Sequence, residues 1–381
     1  MSLTLPGAPV PTPALAGPVR TAVRETGLSA PLTVTWEVTN RCNLRCAHCL
    51  SNSGPEADVR GELSLAEAKA VVDQLAAARV FQIHFGGGEP FVMPGFMDLL
   101  RYAQSCGLCC LCISTNGSLL DEARIRGLEE LGGVYLQISL DGATEAACDA
   151  VRGPGAWRKA VGALERLAGR AIVRTVNFVY TRGNAGQLDA MHALARRHGA
   201  TLRVTRLKPS GRGAASYEAL RPAQAQLAQL HAWLGRHADV LTGDTFFHLN
   251  AFGGKALPGF QSCGAARLTC LIVPNGDVYP CAFTQTEFFR AGNLRRTPFQ
   301  QIWNDAPIFQ QVFRRRPSGA CTGCAAFDGC GGGCPAVKHA LTGRLDLPDP
   351  DCVLETGQAL GARRDSREEE LIRSTTPLCA G

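Results

Sequence analysis

Cys42, Cys46 and Cys49 lie in the run Cys42-Asn43-Leu44-Arg45-Cys46-Ala47-His48-Cys49, separated by three and then two residues. Three thiolates at this spacing can ligate three corners of a [4Fe–4S] cube. The fourth iron stays open, so a substrate can chelate it, whereas four thiolates would close the cube into an electron carrier. Two plainer readings compete: a zinc site completed by His48, or three small apolar core residues.

A second set of thiols occupies the last third of the chain. It reads Cys263-x6-Cys270-x5-Gly276-x4-Cys281, then Cys321-x2-Cys324-x5-Cys330-x3-Cys334, and then Cys352. Eight thiolates suffice for two closed cubes. The Cys321 to Cys334 group alone would read as a zinc knuckle. The chain has 17 cysteines, an odd number that argues for metal ligation in a reducing compartment over a disulfide framework. Cys106, Cys109, Cys110, Cys112 and Cys148 fit no ligand spacing and are expected to pack in the core, and Cys379 lies outside the pattern in a polar tail.

Other groups with chemical potential fall at the ends of apolar runs. Gly86-Gly87-Gly88-Glu89-Pro90 would let a ligand approach the backbone and offers a carboxylate. Ser114-Thr115-Asn116-Gly117 and Ser139-Leu140-Asp141-Gly142 add short polar side chains, although Asn-Gly and Asp-Gly are also ordinary turn signals. Arg206 and Ser210 are expected near the same mouth. Asp244 and His248 are weak candidates for acid–base work, with structural roles as the plainer reading.

These groups require elements that level them at one end. Apolar β-type runs at 32–39, 80–86, 108–115, 134–141, 172–180 and 201–208 alternate with amphipathic helices near 62–79, 94–106, 120–131, 155–169, 185–199 and 221–238. Six β/α units predict an α/β fold, a partial (β/α)6 barrel of TIM type with functional groups at the strand C-termini. A doubly wound sheet would want a Gly-rich phosphate loop after the first strand, where this chain has the cysteine loop.

The composition, 45% hydrophobic and 19% charged over 381 residues, contains no run long enough to span a membrane. The first 31 residues are rich in Pro and Ala without a basic and then apolar leader pattern, so they read as a flexible arm. A cytoplasmic protein with no membrane partner is expected. The net charge of +6 counts every cysteine as neutral and therefore supports no nucleic-acid partner.

With these motifs in order, the chain resembles the radical S-adenosylmethionine (SAM) enzymes, whose open iron binds the amino and carboxylate groups of SAM. The resemblance implies that Gly87, Gly88, Glu89 and Pro90 hold the SAM amino group. It further implies that Ser114, Asn116, Ser139 and Asp141 face its carboxylate and ribose, that His48 stands where an aromatic residue stacks near the adenine, and that Arg206 helps hold SAM or substrate. The C-terminal cysteines resemble the SPASM extension, a loop-rich domain with two auxiliary [4Fe–4S] clusters. That likeness assigns Cys263, Cys270, Cys281 and Cys334 to the first and Cys321, Cys324, Cys330 and Cys352 to the second, making three clusters in all. The expected organisation is an arm at 1–31, the barrel at 32–240, the cluster domain at 241–353 and a tail at 354–381.

Within that superfamily, Arg206-Leu207-Lys208-Pro209-Ser210-Gly211-Arg212-Gly213 and Leu241-Thr242-Gly243-Asp244-Thr245-Phe246-Phe247-His248-Leu249 resemble the mycofactocin maturases. Gln137 to Thr144 and Ala150 to Gly155 are shared more widely among related maturases. The resemblance implies action on a precursor peptide ending in Val-Tyr, with oxidative decarboxylation of the tyrosine and a carbon–carbon link to the valine. It also implies an external electron donor and, because the arm is too short for a winged-helix recognition domain, a separate small chaperone for the peptide. Another SPASM enzyme forming thioether or other crosslinks is the alternative, and a non-enzymatic iron–sulfur scaffold the more distant one, since a scaffold needs no SAM pocket.

Overall fold

A computed structural model describes residues 28–242, 246–253, 263–313 and 318–354. Six strands, β1 (Thr33–Thr39), β2 (Gln82–Gly87), β3 (Cys110–Thr115), β4 (Val134–Ser139), β5 (Val173–Tyr180) and β6 (Thr201–Arg206), pair in parallel in chain order. Helices follow the strands at Leu65–Ala77, Phe96–Ser105, Glu122–Leu131, Ala156–Arg166, Leu188–Arg197 and Gln224–Leu234. The six expected β/α units are therefore present. Within the barrel two further helices, Glu145–Arg152 and Arg212–Leu220, occupy stretches where the sequence pattern predicts none. Both are short, eight and nine residues, and their periodicity is correspondingly hard to see.

Strand alternation divides the sheet into two chemically different faces. Val34, Trp36, Ile83, Phe85, Leu111, Ile113, Leu136, Ile138, Val176, Phe178, Leu202 and Val204 form one buried core with the helices. The opposite face carries Thr35, His84, Cys112, Ser114, Gln137, Asn177 and Arg203, and its residues on β3 and β6 remain half-exposed. The register aligns Ser139 with Asn177 and Asn177 with Arg203. Cys110 and Cys112 belong to this inner face, so their expected core role is corrected, whereas Cys148 is fully buried as expected.

The C-terminal third joins the same sheet. β7 (Thr269–Ile272) pairs in parallel with β1, and β8 (Asp277–Tyr279) and β9 (Gly292–Asn293) continue antiparallel beyond it. An unpaired β1 edge would expose backbone donors and acceptors, and β7 satisfies them. Arg295 also ties this segment back, reaching Glu67 in the first helix with Nε at 2.6 Å.

Phe85 is fully buried between the rings of Trp36 and Phe96, at centroid distances of 5.7 and 5.6 Å. Phe85→Ala should therefore cost about 3–5 kcal/mol. Chemical denaturation of the variant and the parent checks this, and a loss under about 1 kcal/mol would mean the core there is not packed as described.

Candidate active site

The cysteine loop that follows β1 has little secondary structure of its own and is pinned from outside. Cys42 N donates to Gly54 O at 3.0 Å and Ala47 N to Val151 O at 2.8 Å. Arg212 donates from Nε to Cys46 O at 3.0 Å and from Nη2 to Ser53 O at 2.6 Å, and Ser210 Oγ donates to Leu50 O at 2.9 Å. Ser210 thus holds the loop backbone, which the sequence reading had not assigned to it. At Gly88 an added Cβ would lie 2.0 Å from Arg41 O, so only glycine permits this approach of the β2 end to the loop. Gly211, at φ +55°, is similarly crowded by Cys49 O at 2.5 Å.

The three thiols of the loop lie within electrostatic range of one another, and burial pushes Cys42 up to about 11 in the absence of any metal charge. Burial also raises Cys46, with the Arg152 guanidinium opposing it. Among the described residues no three His, Cys, Asp or Glu side chains converge on the position of a single ion. A zinc ion needs its donors at about 2.0–2.3 Å. Three thiols on one loop are the donor set a [4Fe–4S] cube takes, one cysteine to each of three irons.

Several residues expected to touch SAM are engaged elsewhere. Asp141 is completely buried, its Oδ2 lying 2.6 Å from both His48 Nε2 and Arg152 Nε, and its Oδ1 accepting from Val179 N at 2.8 Å. Burial alone would raise this carboxyl, but Arg152 and His48 outweigh it and hold the group below the usual range. His48 is consequently oriented by Asp141 through its Nε2. Asp141 and Arg152 brace the loop from behind, with Arg152 Nη1 4.0 Å from Cys46 Sγ. Glu89 is also buried, accepting from Asn116 N at 2.8 Å, Thr115 Oγ1 at 2.8 Å and Phe91 N at 3.3 Å. Burial pushes it up to about 7 despite these donors. Ser114 Oγ is 2.7 Å from both His84 Nε2 and Gln137 Nε2, so it belongs to the inner face of the barrel. Asn116 Nδ2 reaches Asn43 Oδ1 at 2.9 Å beside the cysteine loop, and Gly87, Pro90 and Ser139 lie at the ends of β2 and β4.

Arg206 is corrected in direction. Three positions after Arg203, it faces the other side of the strand. There it meets Asp349 Oδ1 at 2.7 Å and Asp351 Oδ2 at 2.6 Å. Asp349 in turn accepts from Cys334 N at 2.8 Å, so this buried pair joins the end of the barrel to the C-terminal cysteines. Burial opposes ionisation of Asp349, and the neighbouring Arg206 holds it in the charged form. His248, fully buried 3.3 Å from Arg206 Nη1, is pushed down to about 3 by burial and that guanidinium, which leaves it a neutral packing partner. Asp244 lies outside the described residues.

The C-terminal thiols separate into two groups. Cys321, Cys324, Cys330 and Cys352 line one cavity of about 340 Å³ together with Phe327 and Asp349. Cys281 lies within electrostatic range of Cys334 and Cys263, and Cys263 packs with Cys334 against Phe247. Cys270 is not brought to them: it is fully buried in β7, paired in register with Val34 on the helix side of the sheet. Lys208 stands beside the Cys281 group, its Nζ 3.9 Å from the ring centre of Phe283. Sequence reasoning missed Arg152, Lys208, Asp349 and Asp351. Of these, only Arg152 and Lys208 lay in stretches the reading had singled out.

Glu37, near the end of β1, was also missed. It is buried beside Gly87, with Gln285 Nε2 donating to Oε1 at 2.8 Å. Burial pushes it up to about 8, and Gln285 only partly offsets this.

Profile and chain comparisons give consistent findings. The radical SAM superfamily matches residues 36–186 and the iron–sulfur cluster-binding SPASM domain matches 263–325. The chain is 47% identical over 353 residues to the mycofactocin maturase of Mycobacterium ulcerans, covering 92% of this chain and 94% of that one. It is 46% identical over 333 residues to that of Mycolicibacterium smegmatis, covering 86% and 84%. Among solved structures it is similar in fold to Streptococcus suis SuiB bound to S-adenosylmethionine, at 18% identity and a TM-score of 0.72, covering 88% of this chain and 80% of that one.

The raised Glu37 carboxyl gives a stability prediction. In the unfolded chain it ionises near 4.5, whereas the folded chain keeps the proton to about 8. The folded state thus binds the extra proton across this window, so its stability falls as pH rises through it. Glu37→Gln should flatten that slope, as read by denaturation midpoints between pH 5 and 8, and an unchanged slope would assign the dependence to other groups.

Proposed function

The chain belongs to the mycofactocin maturases, SAM-dependent peptide-modifying enzymes of the radical SAM superfamily, and from that membership we propose how its residues serve the reaction. The observation that carries the reading is the gathering of Cys42, Cys46 and Cys49 on one pinned loop against the Gly87–Pro90 turn. These three thiolates would hold the SAM-binding cluster, with the backbone of Gly87 and Gly88 and the side chains of Asn116 and Ser139 nearest the cofactor. Cys321, Cys324, Cys330 and Cys352 would hold one auxiliary cluster, and Cys263, Cys281 and Cys334 would supply the other, for three clusters in all. When bound, the reduced cluster and SAM supply a hydrogen-abstracting radical, and the auxiliary clusters supply an electron acceptor.

The chain's own residues orient and exclude. Asp141, Arg152, Ser210 and Arg212 keep the cysteine loop rigid, the inner face of the barrel receives the peptide end, and the Arg206–Asp349 pair fixes the auxiliary thiols relative to β6. The substrate is a precursor peptide ending in Val-Tyr. Removal of a hydrogen atom from the tyrosine β-carbon, followed by loss of carbon dioxide and one electron, leaves a Cα=Cβ double bond conjugated to the ring. In a second turnover a hydrogen atom leaves the valine side chain, the resulting carbon radical adds to the double bond, and return of one electron and one proton completes a crosslink of unchanged mass. An external donor supplies the electrons, and a small chaperone presents the peptide. The division into an arm (1–31), a barrel (32–240), a cluster unit (241–353) and a tail (354–381) follows these roles. Among the described residues no helix is long and apolar enough to cross a membrane.

The reconstituted protein should hold about twelve irons per chain, and replacing Cys42, Cys46 and Cys49 with Ala should remove about four and abolish SAM cleavage. SAM cleavage surviving in that triple variant would sink the assignment. With a Val-Tyr peptide, mass spectrometry should show a loss of about 46 mass units that is unchanged on crosslinking, formed alongside 5′-deoxyadenosine. Deuterium placed on the tyrosine β-carbon should appear in the 5′-deoxyadenosine. A product that keeps its carboxylate and gains a thioether would transfer the chain to a different peptide chemistry. Turnover should rise when the peptide-binding chaperone is added, and equal rates without it would remove that partner.

A further inference from the structure

Among the described strand residues, the inner face of the barrel carries one carboxyl and one guanidinium, Glu37 on β1 and Arg203 on β6, at opposite sides of the six-stranded arc. The other inward residues are Thr33, Thr35, Gln82, His84, Cys110, Cys112, Ser114, the β4 and β5 residues in register with them, Thr201 and Thr205. Burial holds Glu37 protonated to about 8 and, with Arg203, pushes the His84 imidazole down to about 3; burial pushes the Cys112 thiol up to about 12. At neutral pH Arg203 is therefore a cation facing neutral groups. Its Nη1 donates to Gln137 Oε1 at 3.3 Å, and Gln137, Ser114 and His84 continue the hydrogen-bonded line across β4, β3 and β2. Its Nε is buried with no hydrogen-bond partner, and among the described residues no carboxylate lies in ion-pair range of it.

Arg203 is half-buried with its Nε enclosed, and the two fully buried arginines differ from it. Arg152 has Asp141, and Arg206 has Asp349 and Asp351. A guanidinium withdrawn from water without a counter-charge is costly, and its fork of donors matches a carboxylate. Register places Arg203 level with Asn177 and Ser139, at the end of the sheet where the cofactor residues gather. Neutral neighbours leave it unscreened on a half-exposed face.

We infer that Arg203 is the anchor for the C-terminal carboxylate of the precursor peptide, the anion that completes the inner face. Gln137 holds the guanidinium in place, and the Ser114–His84 pair holds Gln137. The inference rests on the reading under Proposed function, because the carboxylate held here is the group lost there. Loss of carbon dioxide removes the anion, so the product leaves a site that no longer grips it.

The test is a binding cycle without reductant, so that no turnover occurs. A fluorescent peptide ending in Val-Tyr, as the free acid or the C-terminal amide, is titrated against cluster-loaded enzyme with SAM present. The parent should prefer the free acid by roughly tenfold or more, as a charge-assisted bidentate contact would give. In Arg203→Gln the two peptides should bind within about twofold of each other, and Arg203→Lys should recover part of the preference. Equal binding of acid and amide by the parent overturns the inference without any variant, which covers a variant that fails to load iron. Full discrimination retained in Arg203→Gln also overturns it. If Arg203→Gln instead weakens SAM binding and leaves peptide discrimination intact, the guanidinium serves SAM and the inference is wrong. Failure of the underlying reading shows separately, as an unmodified free-acid peptide when the parent is supplied with reductant.

Discussion

A loop that carries three metal-ligating thiols cannot hold its own shape, because it has almost no internal backbone ladder to resist the pull of the ligands. In this chain the resistance comes from buried charge. Asp141 lies completely inside the protein and compensates its charge with His48 and Arg152, each 2.6 Å away. Removing Arg152 would leave the buried carboxylate with only His48 beside it in a low-dielectric interior, a far larger cost than the loss of a surface ion pair. The loop is thus fixed by a group just beyond the end of β4, distant in sequence but adjacent at the barrel mouth.

The same device recurs at the junction with the C-terminal thiols. Arg206 spans from the end of β6 to Asp349 and Asp351, and Asp349 accepts the amide of Cys334. A link of this kind fixes Cys334 relative to the end of β6. The continuous sheet serves that purpose too, since β7 pairs with β1 and sets the later cysteines against the barrel. Cys270 takes the consequence: a strand position facing the helices packs the core, and its spacing to Cys263 and Cys281 cannot override the two-residue alternation of β7.

Between these braced ends the inner face is polar and half-open, with the line Arg203, Gln137, Ser114, His84 running across it. Its neutrality apart from Arg203 is a product of burial. Glu37 and His84 would both be expected to carry or share charge in water, and both are pushed to their neutral forms by their surroundings.

Much of the fold was legible in the sequence because it depends on local pattern. The six strands, the helices between them and the positions of the glycine and cysteine motifs follow from periodicity and from residue types whose chemistry is intrinsic, such as the thiols of Cys42, Cys46 and Cys49 or the absent side chain of Gly88. What only the tertiary structure decided is which polar group meets which. Asp141, Ser114, His48 and Arg206 read as ligand contacts because each stands at or near a strand end, yet each finds a protein partner that lies 23 to 143 residues away along the chain. The physical reason is that a polar side chain entering the interior must be paired, and the partner is supplied by whichever element the sheet order places beside it. Residue type and spacing name the candidates, and only the packed sheet shows which of them are already satisfied and which, like Arg203, still face an open site.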